Sequence, residues 1–430
     1  MDNLLAKELI SFINSSPSPF HVVKLLEMVL IDNGFTALDL TQKWELEKNK
    51  SYFTIINDSA LVAFDIGEGD VEEEAFKIIA CHTDSPGFRI KPYPEIKTNN
   101  YLKLNTESYG GPILYSWLDR PLSLAGRVFV KGDNPFKPKK MLVDFKNPIA
   151  IIPSLAIHMN REVNKGIELN KQKDTLPLLA VIKEELEVNN KVINLLADNL
   201  SIDTDKILDF DLFLYPVEKG AIIGVNEEFI SSPKLDDLAM VHAGLKAIIN
   251  TKAKKGINLL FCFDNEEVGS ASKEGADSPV ASYILERIML SLGKDREGYL
   301  RSLANSFMIS GDMAHALHPN FEEKQDPTNR PIINGGPVIK ISANREYSSD
   351  GSTSSVFEEI CKEAGVPVQY FVNRSDLKGG TTIGPIIAKQ LGISCVDIGN
   401  PILSMHSIRE LGGVLDHKYI IKAFERFYNS

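Results

Sequence analysis

From Pro233 to its end the chain alternates short apolar runs with helical patterns, and that alternation restricts the fold more than any other feature. The runs Ile257 to Phe263, Ser306 to Ser310, Val338 to Ser342, Val368 to Val372 and Ser394 to Ile398 read as strands. Between them apolar residues return at helical spacing: at Leu238, Val241, Leu245 and Ile248, and around Pro279 to Ser291, Ser354 to Ala364, Gly384 to Leu391 and His417 to Tyr428. Apolar strands separated by helices pack as a mostly parallel or mixed sheet with helices on both faces, an α/β architecture in three layers.

Upstream, two helical patterns open the chain on either side of Ser16-Pro17-Ser18-Pro19, followed by β-like runs at Tyr52 to Ile56, Ala60 to Phe64 and Phe76 to Ala80. From about Arg89 to Lys219 the texture changes to short runs, many prolines and a polar helical stretch from about Asn164 to Asp203. With 430 residues the chain exceeds what one core usually holds. The expectation is a discontinuous domain over residues 1–88 and 220–430, interrupted by an inserted β-rich domain over 89–219.

Composition removes several function classes. A formal charge of −11 without a broad basic face argues against nucleic acid and anionic membrane partners. No apolar run reaches membrane-spanning length, and the first residues interleave charge with apolar positions at helical spacing, unlike a signal peptide. Cys81, Cys262, Cys361 and Cys395 lie in apolar stretches without CxxC spacing, as small core residues do in a reducing cytoplasm.

The chemistry gathers where strands end. Glu266 and Glu267 directly follow the run Ile257 to Phe263, His82 and Asp84 follow the strand that ends at Cys81, and Asp312 follows Phe307 to Gly311. Asp236 stands at a helix start, and His406 follows the Ser394 to Ile398 strand after a short proline-containing loop. Each has an ordinary reading alone: an acidic turn before a helix, a turn histidine near a capping Asp, an acid complementing a helix dipole. Together they suit one sheet edge, where ligands bind in open α/β sheets. Two imidazoles with several carboxylates fit zinc or cobalt better than calcium.

Five ordered motifs carry a resemblance: His82-Thr83-Asp84-Ser85-Pro86-Gly87, Pro233-Lys234-Leu235-Asp236-Asp237-Leu238, Asp264-Asn265-Glu266-Glu267-Val268-Gly269-Ser270, Asp312-Met313-Ala314-His315-Ala316 and Met405-His406-Ser407-Ile408-Arg409-Glu410. In that order they resemble the M18 aminopeptidases, the aspartyl aminopeptidase family. Segments around Ser16 to Val22, Trp117 to Arg120, Ile157 to Arg161 and Gly380 to Pro385 extend the match along nearly the whole chain.

The resemblance implies a zinc-peptidase catalytic domain whose insert pairs subunits, with dimers assembling into a dodecamer, and small peptides as substrates. It implies two Zn2+ per subunit, with cobalt or manganese as alternatives: His82, Asp236 and Asp312 around one, Asp236, Glu267 and His406 around the other. Asp84 would orient His82, and Glu266 would be the general base. His158 resembles a histidine reaching a neighbouring subunit's site, His315 a pocket-lining residue, Tyr347 a stabiliser of the tetrahedral oxyanion, and Lys340 a lysine that meets an acidic first residue of the substrate. Lys378-Gly379 and Asp237 depart from the eukaryotic members of the family, which weakens the expectation of a strict acidic preference and leaves the metal ligands untouched. Rival readings are a dinuclear carboxypeptidase or amide deacylase, and a non-catalytic metal-stabilised assembly protein. A serine hydrolase lacks its Gly-x-Ser-x-Gly.

Overall fold

The computed structural model describes residues 2–72, 75–182 and 190–430. Among them, nine strands form one sheet in the order Thr36–Ala37, Ser51–Ile56, Ala60–Ile66, Ile257–Phe263, Phe76–His82, Phe307–Gly311, Ser394–Gly399, Val338–Ile341, Gln369–Val372. The central four, from Ile257–Phe263 to Ser394–Gly399, run parallel, while Ala60–Ile66 and Val338–Ile341 flank them antiparallel. The sheet is therefore mixed, with a parallel heart whose carboxyl ends face one way.

Both faces are buried, as the unbroken apolar runs require. On one face the helices Asp2–Asn14, Pro19–Asp32, Leu235–Asn250, Gly351–Ala364 and Val414–Tyr428 enclose Leu9, Leu26, Leu238, Phe357 and Phe424. On the other, Val280–Ser291, Arg296–Ala304 and Ile383–Leu391 bury Ile284, Leu285, Leu303 and Ile387. This is a three-layer α/β/α arrangement. The helix Arg296–Ala304, started by an Asp295 side chain that accepts the Gly298 N–H, had no counterpart in the sequence reading.

An antiparallel six-stranded sheet is built from chain between Gly87 and Pro216, in the order Lys139–Asp144, Leu122–Val130, Ile207–Pro216, Gly87–Thr98, Tyr101–Tyr109, Leu178–Val181. It has its own core around Phe88, Trp117, Leu124 and Leu212. The expected long helix from Asn164 to Asp203 is not what forms. Its first part is a three-residue 3-10 turn, Val163–Lys165, and then irregular chain; Leu178–Val181 pairs as an edge strand, and among the described residues of the stretch only Lys191–Leu200 is α-helical. Residues 183–189 of that stretch lie outside the described residues. Gly166 and Pro177 interrupt the pattern, and pairing with Tyr101–Lys103 offers the intervening apolar residues a better burial than an isolated helix.

A small third sheet ties the loops above the parallel strands together: Ala221–Ile223, Phe229–Ser232, Glu410–Gly413, Pro401–Leu403 and Ala314–His315. The segment before His406, read as a loop, thus contains a short strand.

Candidate metal centre

The parallel strands deliver the candidate donors to one edge. Phe76–His82 and Ile257–Phe263 pair so that His82 stands beside Phe263, and Glu266 and Glu267 follow three and four residues later in a 3-10 turn. The His82 ring is fully buried, with Nδ1 3.2 Å from the Asp84 carbonyl oxygen and 3.3 Å from its carboxylate. That pairing aims Nε2 at Asp236 Oδ1, 3.4 Å away. Asp236 sits at the head of Leu235–Asn250, where Asp236 and Asp237 are not yet helical and their shared peptide bond is cis. Its other oxygen, Oδ2, lies 3.4 Å from His406 Nε2, and Glu267 Oε2 lies 3.6 Å from the same nitrogen.

Asp236 thus faces one imidazole with each carboxylate oxygen. Candidate ligand atoms of His82, Asp236, Asp237 and Asp312 lie within 4.8 Å of one another, as do those of Asp236, Glu267 and His406, and those of His82, Glu266 and Glu267. Asp236 Oδ1, Asp237 Oδ1 and Glu267 Oε1 are buried without a hydrogen-bond partner. Buried carboxylate oxygens are seldom left so, and a divalent cation between them and the imidazole nitrogens satisfies both. The donor set therefore fits the zinc implied by the sequence.

The electrostatics agree. Burial pushes the Glu266 carboxyl up to about 8, helped by Asp312, Asp84 and Asp236. Burial and then Asp236 carry Glu267 well above its ordinary range, and burial with Asp236 raises Asp312 against the pull of Lys340. Burial opposes the charged forms of His82 and His406, yet neighbouring carboxylates, Asp237 foremost for His82 and Asp236 for His406, raise both, His406 to about 9. Asp236 resists burial through His406 and His82 and stays well below the usual carboxylate range. Acids crowded out of water repel one another, and nearby positive charge relieves them.

Three residues to which the sequence assigned no supporting role hold the cluster in place. Asp237 Oδ2 accepts the His82 backbone N–H at 3.1 Å. Glu410, buried, accepts the backbone N–H of both Asp236 (3.0 Å) and His406 (2.8 Å). Tyr109 donates its hydroxyl to Asp84 Oδ2 at 2.8 Å and accepts from Asn265 at 2.8 Å. Glu410 could have been found as a charged residue opening the short apolar strand Glu410–Gly413; Tyr109 carries no local signal.

Of the weaker candidates, Lys340 is buried and turned toward the cluster: its ammonium is 3.3 Å from Asp312 Oδ2 and donates to the carbonyls of Asp312 and Met313 at 3.0 and 3.2 Å. Burial opposes its charge, but Asp312, Tyr347, Asp397 and Asp236 together outweigh it and the pKa rises to about 12. Tyr347 is buried against it, ring centroid 5.3 Å from the ammonium. His315 is exposed and lines a cleft of about 330 Å³ with Lys324, Arg374, Lys378 and Met405. Gly379 and Gly380 line the same cleft. His158 is not brought to the cluster within this chain; it sits in the exposed turn Ile157–Met159.

A three-layer α/β/α fold with histidines and carboxylates gathered at the ends of its parallel strands defines a metallopeptidase-like centre. The family profile described as aminopeptidase I zinc metalloprotease (M18) matches residues 12–428. An M18 family aminopeptidase 2 of Clostridium acetobutylicum, described as probable, is 58% identical over 425 residues, covering 99% of this chain and 98% of that one. A counterpart of the same description from Ectopseudomonas mendocina is 42% identical over 430 residues, with coverage of 99% and 98%. Among solved structures, a chain of the Ape4 and Nbr1 complex superposes with a TM-score of 0.95 at 36% identity, covering 99% of this chain and 86% of that chain. A dodecamer of S. cerevisiae mApe1 gives a TM-score of 0.86 at 27% identity, with coverage of 100% and 97%. The chain belongs to the M18 family of zinc metalloproteases. It is an aminopeptidase, a hydrolase, and the carboxypeptidase, deacylase and non-catalytic readings are set aside.

Proposed function

We propose that this aminopeptidase holds two zinc ions per chain, an inner one among His82, Asp236 and Asp312 and an outer one among Asp236, Glu267 and His406, and that Glu266 is its general base. The observation that carries this reading is Asp236, whose two carboxylate oxygens stand at 3.4 Å from the Nε2 atoms of His82 and His406. When bound, the pair of ions lowers the pKa of a water and polarises the scissile carbonyl.

The chain's own residues do the rest. Glu266, in the same turn as Glu267 but outside the Asp236, Glu267 and His406 group, is held by its backbone N–H on Asp84 Oδ1 at 3.2 Å. Its carboxylate takes the proton of the attacking water and returns it to the leaving amine, a task suited to a group whose pKa burial lifts from the ordinary acid range. The Tyr347 hydroxyl donates to the negative charge growing on the carbonyl oxygen, a role supported by its ring packing on Lys340, whose ammonium is 3.3 Å from Asp312. The free α-ammonium of the peptide is met by the carboxylates around the outer position.

An acidic first residue is the favoured substrate. Lys340 is engaged by Asp312, so its contribution is to hold that ligand. The cleft beside His315 supports the preference instead: Lys324 and Lys378 line it, with Arg374 paired to Asp376, and its described lining contains no carboxylate. Residues 89–219 serve as an assembly domain within a catalytic domain of 1–88 and 220–430. The exposed side chains of Leu155, Ile157 and Met159 around His158 suit contact with a second copy, in an assembly like the mApe1 dodecamer. Zinc content and cleavage of matched Asp, Glu, Leu and Ala aminoacyl substrates, with and without chelator, test the reading. Fastest cleavage of Asp and Glu with two zinc ions per chain is expected; activity after complete metal removal would contradict it.

A further inference from the structure

The strand Tyr101–Tyr109 of the six-stranded sheet does more than end near the candidate site. Its last residue and the next two touch, in turn, three parts of the outer half. The Tyr109 hydroxyl donates to Asp84 Oδ2, and the same oxygen accepts the Glu267 backbone N–H at 3.1 Å. The other oxygen, Oδ1, faces the His82 ring and the Glu266 N–H. Asp84 is thereby divided, one oxygen serving the inner histidine and the base, the other serving Glu267.

Gly110 follows with φ +66° and packs on Glu267 so closely that an added Cβ would stand 3.1 Å from both the Glu267 Cβ and its carbonyl oxygen. At Gly111 the carbonyl oxygen lies 3.2 Å from His406 Nδ1, and Ile113 donates its N–H to the His406 carbonyl at 2.9 Å. A carbonyl at Nδ1 fixes the proton there and leaves Nε2, which faces Asp236 and Glu267, free to ligate. The inner position receives nothing from this segment beyond the shared Asp84.

From this division we infer that Tyr109 is a positioning residue for the outer zinc: the Tyr109 to Gly111 segment sets the outer ligands Glu267 and His406, so that affinity at the outer position depends on this segment while affinity at the inner position does not. This rests on the two-ion reading above.

The test is equilibrium dialysis of the full-length zinc-loaded protein against a series of zinc buffers, with zinc per chain counted for wild type, Tyr109→Phe and Gly110→Ala. The binding step missing in His406→Ala marks the outer position, and thermal melts report folding. Tyr109→Phe removes one hydroxyl from a buried site, and the outer step is expected to weaken about 10- to 100-fold, the usual effect of losing a ligand's supporting partner, with the inner step unchanged. Gly110→Ala should weaken the same step. An unchanged outer step in Tyr109→Phe, or equal weakening of both steps, would overturn the inference. A wild-type protein that binds a single zinc at every buffer would overturn the two-ion reading, and the inference with it, before any variant is compared.

Discussion

The two halves of the candidate centre share Asp236 but are built differently. The inner half hangs on rigid elements: His82 is the last residue of a central strand and Asp312 directly follows its neighbour, with side-chain exposures of 1% and 13%. The outer half is assembled from a 3-10 turn, a loop after a two-sheet crossing and a segment of the six-stranded sheet, and His406 is 33% exposed. Donors fixed by a parallel sheet make a buried position that exchanges slowly; donors fixed by loops make one that opens to solvent and substrate.

Replacing the shared residue should have the largest effect. Asp236→Ala is expected to release zinc from both positions and abolish turnover, read as zinc per chain after dialysis; one retained ion would show that Asp236 does not bridge. Glu266→Gln should lower kcat by about 10²- to 10⁴-fold, the range for a general base, while both ions stay. Loss of zinc in that variant would move Glu266 into the ligand set. Glu410→Gln keeps the shape but leaves one acceptor oxygen where two take the backbone N–H groups of Asp236 and His406. Zinc affinity should fall about 10- to 100-fold at both positions, in contrast with Tyr109→Phe.

The smallest expected effect concerns the helix that carries Asp236. His242 on that helix and His417 on Val414–Tyr428 are buried, with Nδ1 of one 2.9 Å from Nε2 of the other. Burial, with Lys246 nearby, lowers the His417 pKa to about 3, and burial, His417 and Lys246 lower that of His242. Because both folded values lie below the unfolded value near 6.5, the neutral pair contributes stability that is fully present above about pH 6.5 and is lost as pH falls toward 3. Thermal melts between those pH values should show a slope that flattens in His417→Asn. An unchanged slope would assign acid sensitivity to the carboxylate cluster instead.

His82, Glu266, Glu267 and Asp312 stood out as candidates in the sequence because they follow strands that announce themselves by continuous apolar runs, whereas their division between two positions came from the resemblance. The helices fell within a few residues of their observed bounds where their period was strong, as at Val280–Ser291 and Val414–Tyr428. What stayed hidden depends on pairing between distant segments. Glu410 meets Asp236 across 174 positions, and Tyr109 meets Asn265 across 156, so neither partner marks the other locally. Lys340 was placed near the site by resemblance, but only the fold reveals that its ammonium is turned to Asp312. The region from Asn164 to Asp203 misled because polar residues at helical spacing also suit irregular chain, and the edge of a sheet decided the outcome.

The claim that one carboxylate joins an inner and an outer zinc is tested most directly by crystals of the zinc-loaded protein measured at the zinc absorption edge, before and after a brief chelator soak. Two anomalous peaks about 3.5–4 Å apart are expected on either side of Asp236, one beside His82 and Asp312, the other beside Glu267 and His406, with the outer peak fading first. A single peak, or an inner peak that empties before the outer one, would contradict the account.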